Sequence, residues 1–542
     1  MPNVHEIIRD HVSLSISCID RIYVNGYMPG LQTSGQLCDF MRRHLGQPIP
    51  SPAVLRPIHD RFVAGVESFV RRERVPLVQF QRGQRKDDIA NAHRARFERS
   101  EGVVLVGTAQ EKARSFRATK RCGARGGVSF DFSRQSVFVK HYYFYVQDPD
   151  WGPAFLKVGT YVPYPVKLCL NGHEWAKQQL RREGIPFESL DNGFSSCPMA
   201  DRLQQICDRL SPDDIQAFFG RWSHRLPWPL TDADRQGGFD HHLSIWQLEV
   251  SLTQVFDRPV QGRHFFEEVI RDNLDLGRPT HVSLLFPTRF TRRTPAPRFG
   301  YRTRVITDGV DPSLHVEYKH SHVKQYFKES RALRTETTIN DPMDFYVRKA
   351  IGNLDQLRTA ADRINHKLLE IERVSQNCVL TQDSFDQIHR PTVVNRQRAS
   401  ALRFADPRVT ALLHGLCAFQ HLHSGFRNKD LRSHVAALLG LSLDAYSPGM
   451  MTYDLRRLRL KGLISRQSRS HRYFVTGFGL RVAFFCTKLL IRIFRPAWAA
   501  ISQPPDPIHR PLRRVLRLLE EQIQELCASA RLQPSMPNLT QL

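Results

Sequence analysis

Three short stretches of this chain carry side chains whose types and spacing could do chemistry. In NGHEW, residues 171–175, His173 and Glu174 stand together at the start of an expected helix. They follow an aromatic, β-branched stretch that holds Asp148 and Asp150. Carboxylates grouped with a histidine can hold Mg2+ or activate a water. A plainer account serves as well: Asn171-Gly172 makes a turn, and Glu174 in the first helical turn favours the dipole. One His-Glu pair without a second histidine is not a zinc motif. The second stretch is DGVDPSLHVEYKHSHVK, residues 308–324. Asp308 or Asp311 followed by Glu317-x-Lys319 on a strand has the look of a PD-(D/E)xK nuclease core, where two acids hold a metal and a lysine polarises water. A solvated strand of alternating charge explains the same residues. The third is KQYFKESRALRTETTIN, residues 324–340. Arg334 and Glu336 are same-face neighbours on an expected strand. With Lys324, Tyr326 and Lys328 they make a basic, aromatic surface suited to single-stranded nucleic acid, unless Arg334 and Glu336 are simply a surface ion pair. Tyr326 is also of the type that replication initiators use as a nucleophile, with HSH at 320–322 nearby.

These residues need elements to position them. Residues 1–120 alternate strand-like and helix-like segments, which predicts an α/β unit. Asp20, Arg21, Arg85, Lys86, Asp87, Asp88 and Glu111 fall near its strand ends, where open α/β sheets bind ligands. No GxGxxG, Walker A or GxSxG pattern occurs. Residues 121–378 read as a mixed strand and helix body. Its opening loop, RATKRCGARGG at 117–127, leads into a strand-rich stretch that the turn DPDWG splits into a hairpin. The helix HEWAKQQLRREG ends at Gly184. Residues 200–275 read as mostly helical, including HHLSIWQLEVSLTQVF at 241–256. Strands follow from HVSLLF at 281–286 to 340, joined by the basic connector RFTRRTPAPRFGYRTR that carries Arg292 and Arg293. Helix returns over 343–376. Residues 379–406 read as a linker, 407–500 as a separate domain, and 501–542 as a closing helix and tail.

The chain has 78 Lys and Arg against 53 Asp and Glu, a formal net charge of +25 over 542 residues. Such a field attracts polyanions, DNA or RNA among them. The ten cysteines are scattered and include no CxxC pair, which argues against a cysteine-rich zinc site. The start MPNVHEIIRDHV lacks the apolar core of a signal peptide. The most apolar run, 482–494, is broken by Lys488 and Arg492 and is too short to span a bilayer. No membrane partner is expected, and a reducing cytosol is the default compartment.

From 407 the pattern changes to helix, helix, basic helix, then an alternating hairpin. In SPGMMTYDLRRLRLKGLI, Ser447 can cap and Pro448 fits the first turn. Met451, Leu455, Leu458 and Leu463 are expected inside, with Arg456, Arg457, Arg459 and Lys461 facing out. ISRQSRSHRYFVT then makes two strands with a basic tip at Arg469, His471 and Arg472. Residues 451–500 hold eleven Lys and Arg against one acid, Asp454. Leu455, Leu458, Gly462, Leu463, Ile464, Arg466, Tyr473, Thr476 and Gly479 match the pattern of the MarR-type winged-helix domain, which this segment resembles. The whole chain resembles a bacterial family sometimes labelled MarR-family regulators. The resemblance implies DNA contact through the third helix and the wing, although winged helices also dock proteins. The sequence thus predicts a multidomain α/β (α+β) protein that contacts DNA or RNA through its C-terminal domain and a basic body. Two alternatives stand beside it: a Mg2+-dependent nuclease or strand-transfer enzyme, or a regulator that senses a small ligand.

Overall fold

Apolar and polar residues alternate along residues 12–27, 128–170 and 242–256, and all three stretches enter one sheet. The computed structural model describes residues 10–122, 128–277, 301–308, 311–376, 380–404, 406–419 and 425–494, with scattered positions outside these. They form two compact units, one of residues 1–270 and 279–372, the other of 373–542 with 271–278. The protein is mixed α/β, in more than one unit.

The first unit contains the strands β1 (Val12–Tyr27), β2 (Leu77–Gln79), β3 (Gly102–Cys122), β4 (Val128–Asp148), β5 (Gly152–Gly159) and β6 (Val166–Leu170). After a small hairpin, β7 (Glu188–Leu190) and β8 (Gly193–Ser196), come β9 (His242–Phe256), β10 (Tyr301–Asp308), β11 (Asp311–Tyr318), β12 (Ser321–Lys328) and β13 (Ala332–Ile339). Eleven of them make a single sheet in the order β10-β11-β12-β13-β9-β1-β6-β5-β4-β3-β2. Only β2 and β3 run parallel among these pairs. The expected division at residue 120 is therefore absent, since it falls inside β3. The physical reason is backbone pairing: β1 bonds to β6 and β9, and β3 to β4, so a unit of 1–120 would leave both with bare edges. Residues 117–122, read as loop, extend β3. Residues 242–256, read as helix, form β9 near the middle of the sheet, where Leu248, Val250 and Leu252 are buried on alternate positions.

The helices up to residue 376 are α1 (Ser34–Asp39), α2 (Pro52–Glu73), α3 (Lys86–Arg94), α4 (Gly172–Arg182), α5 (Ala200–Arg209), α6 (Pro212–Arg225), α7 (Asp232–Gln236), α8 (Pro259–Gly277) and α9 (Leu354–Gln376), the last turns of α8 and α9 being counted with the second unit. The main core packs Phe62 and Val66 of α2, Trp175 of α4, Leu203 of α5, Trp222 of α6 and Leu357 of α9 with Ile22, Phe144, Leu168 and Val250 of the sheet. The first half of β1 lacks a strand on one edge. There the Gln204 side chain of α5 takes the place of a strand: it accepts from Ser17 N at 2.9 Å and donates to Ser17 O at 3.0 Å. A register shift between Ile19 and Arg21 leaves Asp20 as an extra residue against β9.

In the second unit, residues 380–404 are not a bare linker. They fold as α10 (Gln382–His389) and the hairpin of β14 (Thr392–Val394) and β15 (Gln397–Ala399). Then follow α11 (Pro407–Phe419), α12 (Asn428–Leu439), α13 (Pro448–Leu460), the hairpin of β16 (Ile464–Arg466) and β17 (Tyr473–Val475), and α14 (Gly477–Leu489). Gly479 must be glycine, because an added Cβ would sit 1.9 Å from Leu463 O. The strand expected at 281–286 and most of 501–542 lie outside the described residues. No described helix is long and apolar enough to cross a membrane.

Candidate nucleic-acid interface

The third helix of the second unit, α13, is set by its ends. Ser447 Oγ accepts from Met450 N at 3.3 Å, Pro448 occupies the first turn, and Gly462 at φ +75° releases the chain. Met451, Leu455 and Leu458 are buried, as their spacing predicts. Buried beside them is Asp454, whose carboxylate accepts from Arg408 Nε at 2.7 Å and from Tyr446 OH at 2.6 Å. Two of the four cations expected to face out do not. Arg457 is buried, pairs with Asp454 at 3.4 Å and donates to Ala401 O at 2.7 Å. Lys461 has no exposed surface and donates to the carbonyls of Gln387, at 2.8 Å, and Arg390. Burial, together with Arg457, pushes its ammonium below the usual lysine range. These two cations tie α13 to residues 387–401.

Arg456 and Arg459 are exposed on the outer face with Thr452 and Tyr453. Among the described residues, neither arginine has a carboxylate partner, and neither does Arg469. Beyond α13, the β16–β17 hairpin pairs Ile464 with Val475 and Arg466 with Tyr473. Its tip closes with Gln467 N donating to Arg472 O at 3.0 Å, and Arg469 takes a left-handed φ of 54° there. Arg466 donates to Ser470 O at 2.9 Å; Arg469 and His471 are exposed and Arg472 is half-buried. Asn428 Nδ2 donates to Pro448 O at 3.2 Å and to Thr452 Oγ1 at 3.0 Å. This contact brings the exposed Arg427 and Lys429 beside the start of α13. Neither stands out in the sequence, where Arg427-x-Lys429 has the pattern of an ordinary solvated helix start.

In the first unit, the residues singled out as separate sets partly converge, though not on a metal. Arg334 of β13 is about 1% exposed and pairs with Asp20 in the β1 bulge. It also donates to Asn192 O and lies 3.2 Å from His173 Nε2. His173, in the first turn of α4, sits 2.7 Å from Asp20 Oδ1 and 3.2 Å from Ser251 Oγ. Glu336 is 3.7 Å from Arg334 Nε and accepts from Tyr326 OH at 3.4 Å. Burial opposes charge throughout this cluster. Even so, Arg334 and His173 hold Asp20 well below the carboxylate range, and Cys18 and Asp20 lift His173 to about 9. Burial raises Glu336 to about 8, with Asp20 and Glu249 adding to it. Arg334 is thus sealed inside and not part of a nucleic-acid surface. Lys324 lies 4.3 Å over the Tyr326 ring, half-buried, and Lys328 pairs with Glu329 at 3.4 Å.

The remaining candidates are not brought together. Glu174 holds Lys177 at 2.7 Å. Asp148 accepts from the backbone of Asp150 and Trp151 and from Arg221 and Trp222, so it is saturated as a turn and helix clamp. Glu317 is buried on β11, whereas Lys319 turns away at φ 53° and donates to Asp344 O at 2.8 Å. Asp311 pairs with Asp308 through the strand register, and its side chain, like Arg292 and Arg293, lies outside the described residues. Among the described residues no group of three or more His, Cys, Asp or Glu is placed to hold a metal. Arg21, Asp87 and Glu174 do line one cleft of about 250 Å3 with Tyr23 and Arg94. Comparison with protein-family models, curated proteins and solved structures finds no match to the chain.

Proposed function

We propose that the second unit is a MarR-type winged helix that binds duplex DNA, with α13 in the major groove and the β16–β17 hairpin as the wing on the flanking backbone. The observation that carries this reading is the sorting of cations on α13. Arg457 and Lys461 anchor the helix from within, while Arg456 and Arg459 face solvent without carboxylates. A free guanidinium on a rigid helix can reach a guanine edge or a phosphate, and wing cations such as Arg469 can neutralise phosphates. The major groove of B-form DNA is wide enough for a helix, and that of duplex RNA is not, so DNA is the favoured partner. A bacterial cytosol as the place of action accords with the nine described cysteines, all free thiols.

The test is a salt series of duplex binding with the full chain. Arg456→Ala with Arg459→Ala is expected to weaken binding by about 1–3 kcal/mol per specific contact. Duplex RNA of the same sequence is expected to bind less tightly. Unchanged DNA affinity in a variant that melts like the parent refutes the assignment.

A further inference from the structure

The first unit carries a second basic element, which no local motif marks. β3 and β4 pair over their whole length, from Gly102–Gln147 to Cys122–Val128. β2 bonds to β3 only at Val106 to Thr108, and β5 to β4 only from His141 onward. Beyond Gln110 and Lys140 the two strands therefore leave the sheet alone. A bare ribbon with two open edges is a liability for a globular protein and marginal by itself. This one is anchored on one side: Phe116 and Phe132 pack against the cluster of Leu31, Leu37, Phe40 and Tyr164, Arg134 donates to Gln32 O at 3.1 Å and Ser115 Oγ to Val162 O at 2.7 Å.

Its charge is almost entirely of one sign. Residues 112–122 and 128–138 contain Lys112, Arg114, Arg117, Lys120, Arg121 and Arg134, all exposed, and a single acid, Asp131, which Arg121 takes. Arg114 and Arg134 are diagonal neighbours on one face, since Arg114 opposes Ser136 and Phe116 opposes Arg134. Like charges so placed repel. Partial desolvation, with Arg114 adding to it, lowers the Arg134 guanidinium from its usual value. An anion between them would relieve that repulsion. On the same face Phe138 is 67% exposed, with Lys112 Nζ 5.6 Å above its ring.

We propose that the outer half of the β3–β4 ribbon is a second duplex-DNA contact, a basic arm that lies along a groove. A two-stranded ribbon fits the major groove. Eleven residues per strand span roughly 35 Å at about 3.3 Å each, close to one turn of duplex at about 34 Å. Cations on both faces, such as Arg114 and Arg117, reach the phosphates that wall the groove on either side. The inference rests on the ribbon alone and stands whether or not the second unit binds DNA.

The test uses the full chain and a 30-base-pair duplex across a salt series. Arg114→Ala/Arg117→Ala/Lys120→Ala is compared with the charge-conserving Arg114→Lys/Arg117→Lys/Lys120→Arg, each also in the Arg456→Ala/Arg459→Ala background. Three lost phosphate contacts should shallow the salt dependence by roughly 2.7 in slope and weaken binding at 0.15 M salt by on the order of 100-fold. The charge-conserving variant should keep the parental slope. Because the α13 changes are made separately, failure of one site leaves the other readable. Should the alanine triple lower the melting temperature, the Arg114→Gln/Lys120→Gln pair carries the test. A folded ribbon variant with parental affinity and slope in both backgrounds overturns the proposal. So does a loss confined to single-stranded DNA or duplex RNA.

Discussion

Arg334→Met is the sharpest probe of the buried cluster in the first unit. The side chains of Arg334 and Asp20 are about 1% and 2% exposed, so neither charge can turn to water. Removing the guanidinium leaves Asp20 with His173 as its remaining cation and deprives Asn192 O of its donor. Breaking a buried pair by deleting one partner costs about 3–5 kcal/mol, because an uncompensated charge stays behind. The unmet carbonyl adds about 1 kcal/mol or more, and the retained His173 contact offsets part of this, so a loss of about 3–5 kcal/mol is expected. Replacing both charges, Asp20→Asn with Arg334→Met, removes the stranded carboxylate and should recover about 2–3 kcal/mol relative to the sum of the single changes. Urea unfolding of the four proteins, followed by far-ultraviolet circular dichroism, measures the cycle. If Arg334→Met lies within about 1 kcal/mol of the parent, or if the double change costs the full sum, the cluster is not the interlock described above.

The same cluster sets a pH dependence. His173 is raised from its ordinary value to about 9, so its contribution is whole below the ordinary histidine range and is lost as pH rises through 9. Glu336, raised to about 8, acts in the same direction, and the melting temperature of the first unit should fall between pH 6 and pH 9.5. Glu336→Gln should flatten that fall, and an equally steep fall in the variant would count against the assignment. In the second unit, Lys461→Met leaves the Gln387 and Arg390 carbonyls without their donor. It is expected to cost about 1–3 kcal/mol in thermal unfolding, whereas Arg456→Ala should cost less than about 0.5 kcal/mol.

Local pattern made much of the second unit legible. Ser447, Pro448 and Gly462 mark the ends of α13, and the Met451, Leu455, Leu458 spacing gives its inner face. What the pattern could not give was the fate of Arg457 and Lys461. Each lies near the boundary of the inner face, and their partners are backbone carbonyls of residues 387–401, whose placement no periodicity encodes. The misread β9 is different, because the signal was present. Leu248, Val250 and Leu252 alternate with Glu249, Ser251 and Thr253, a period of two that the helical neighbours α6 and α8 obscured. The buried cluster was legible only as fragments. Asp20, His173, Arg334 and Glu336 come from β1, α4 and β13, and only the sheet order, which sets β9 between β1 and β13, brings them together.

A net charge of +25 says little until the cations are sorted by what already holds them. Arg334, Arg457 and Lys461 cannot serve a polyanion: drawing them out would uncover buried acceptors or carboxylates, at about 3–5 kcal/mol for a stranded charge. Arg221 and Arg408 are committed in the same way to Asp148 and Asp454. Arg114, Arg117, Lys120, Arg456, Arg459 and Arg469 have no such cost, since among the described residues they hold no carboxylate. Any association of theirs with phosphate would be driven by release of counterions at little structural expense. The β3–β4 ribbon and the α13 and β16–β17 face are thus two places where exposed cations stand uncommitted, beside others such as Arg74, Arg99 and Arg398.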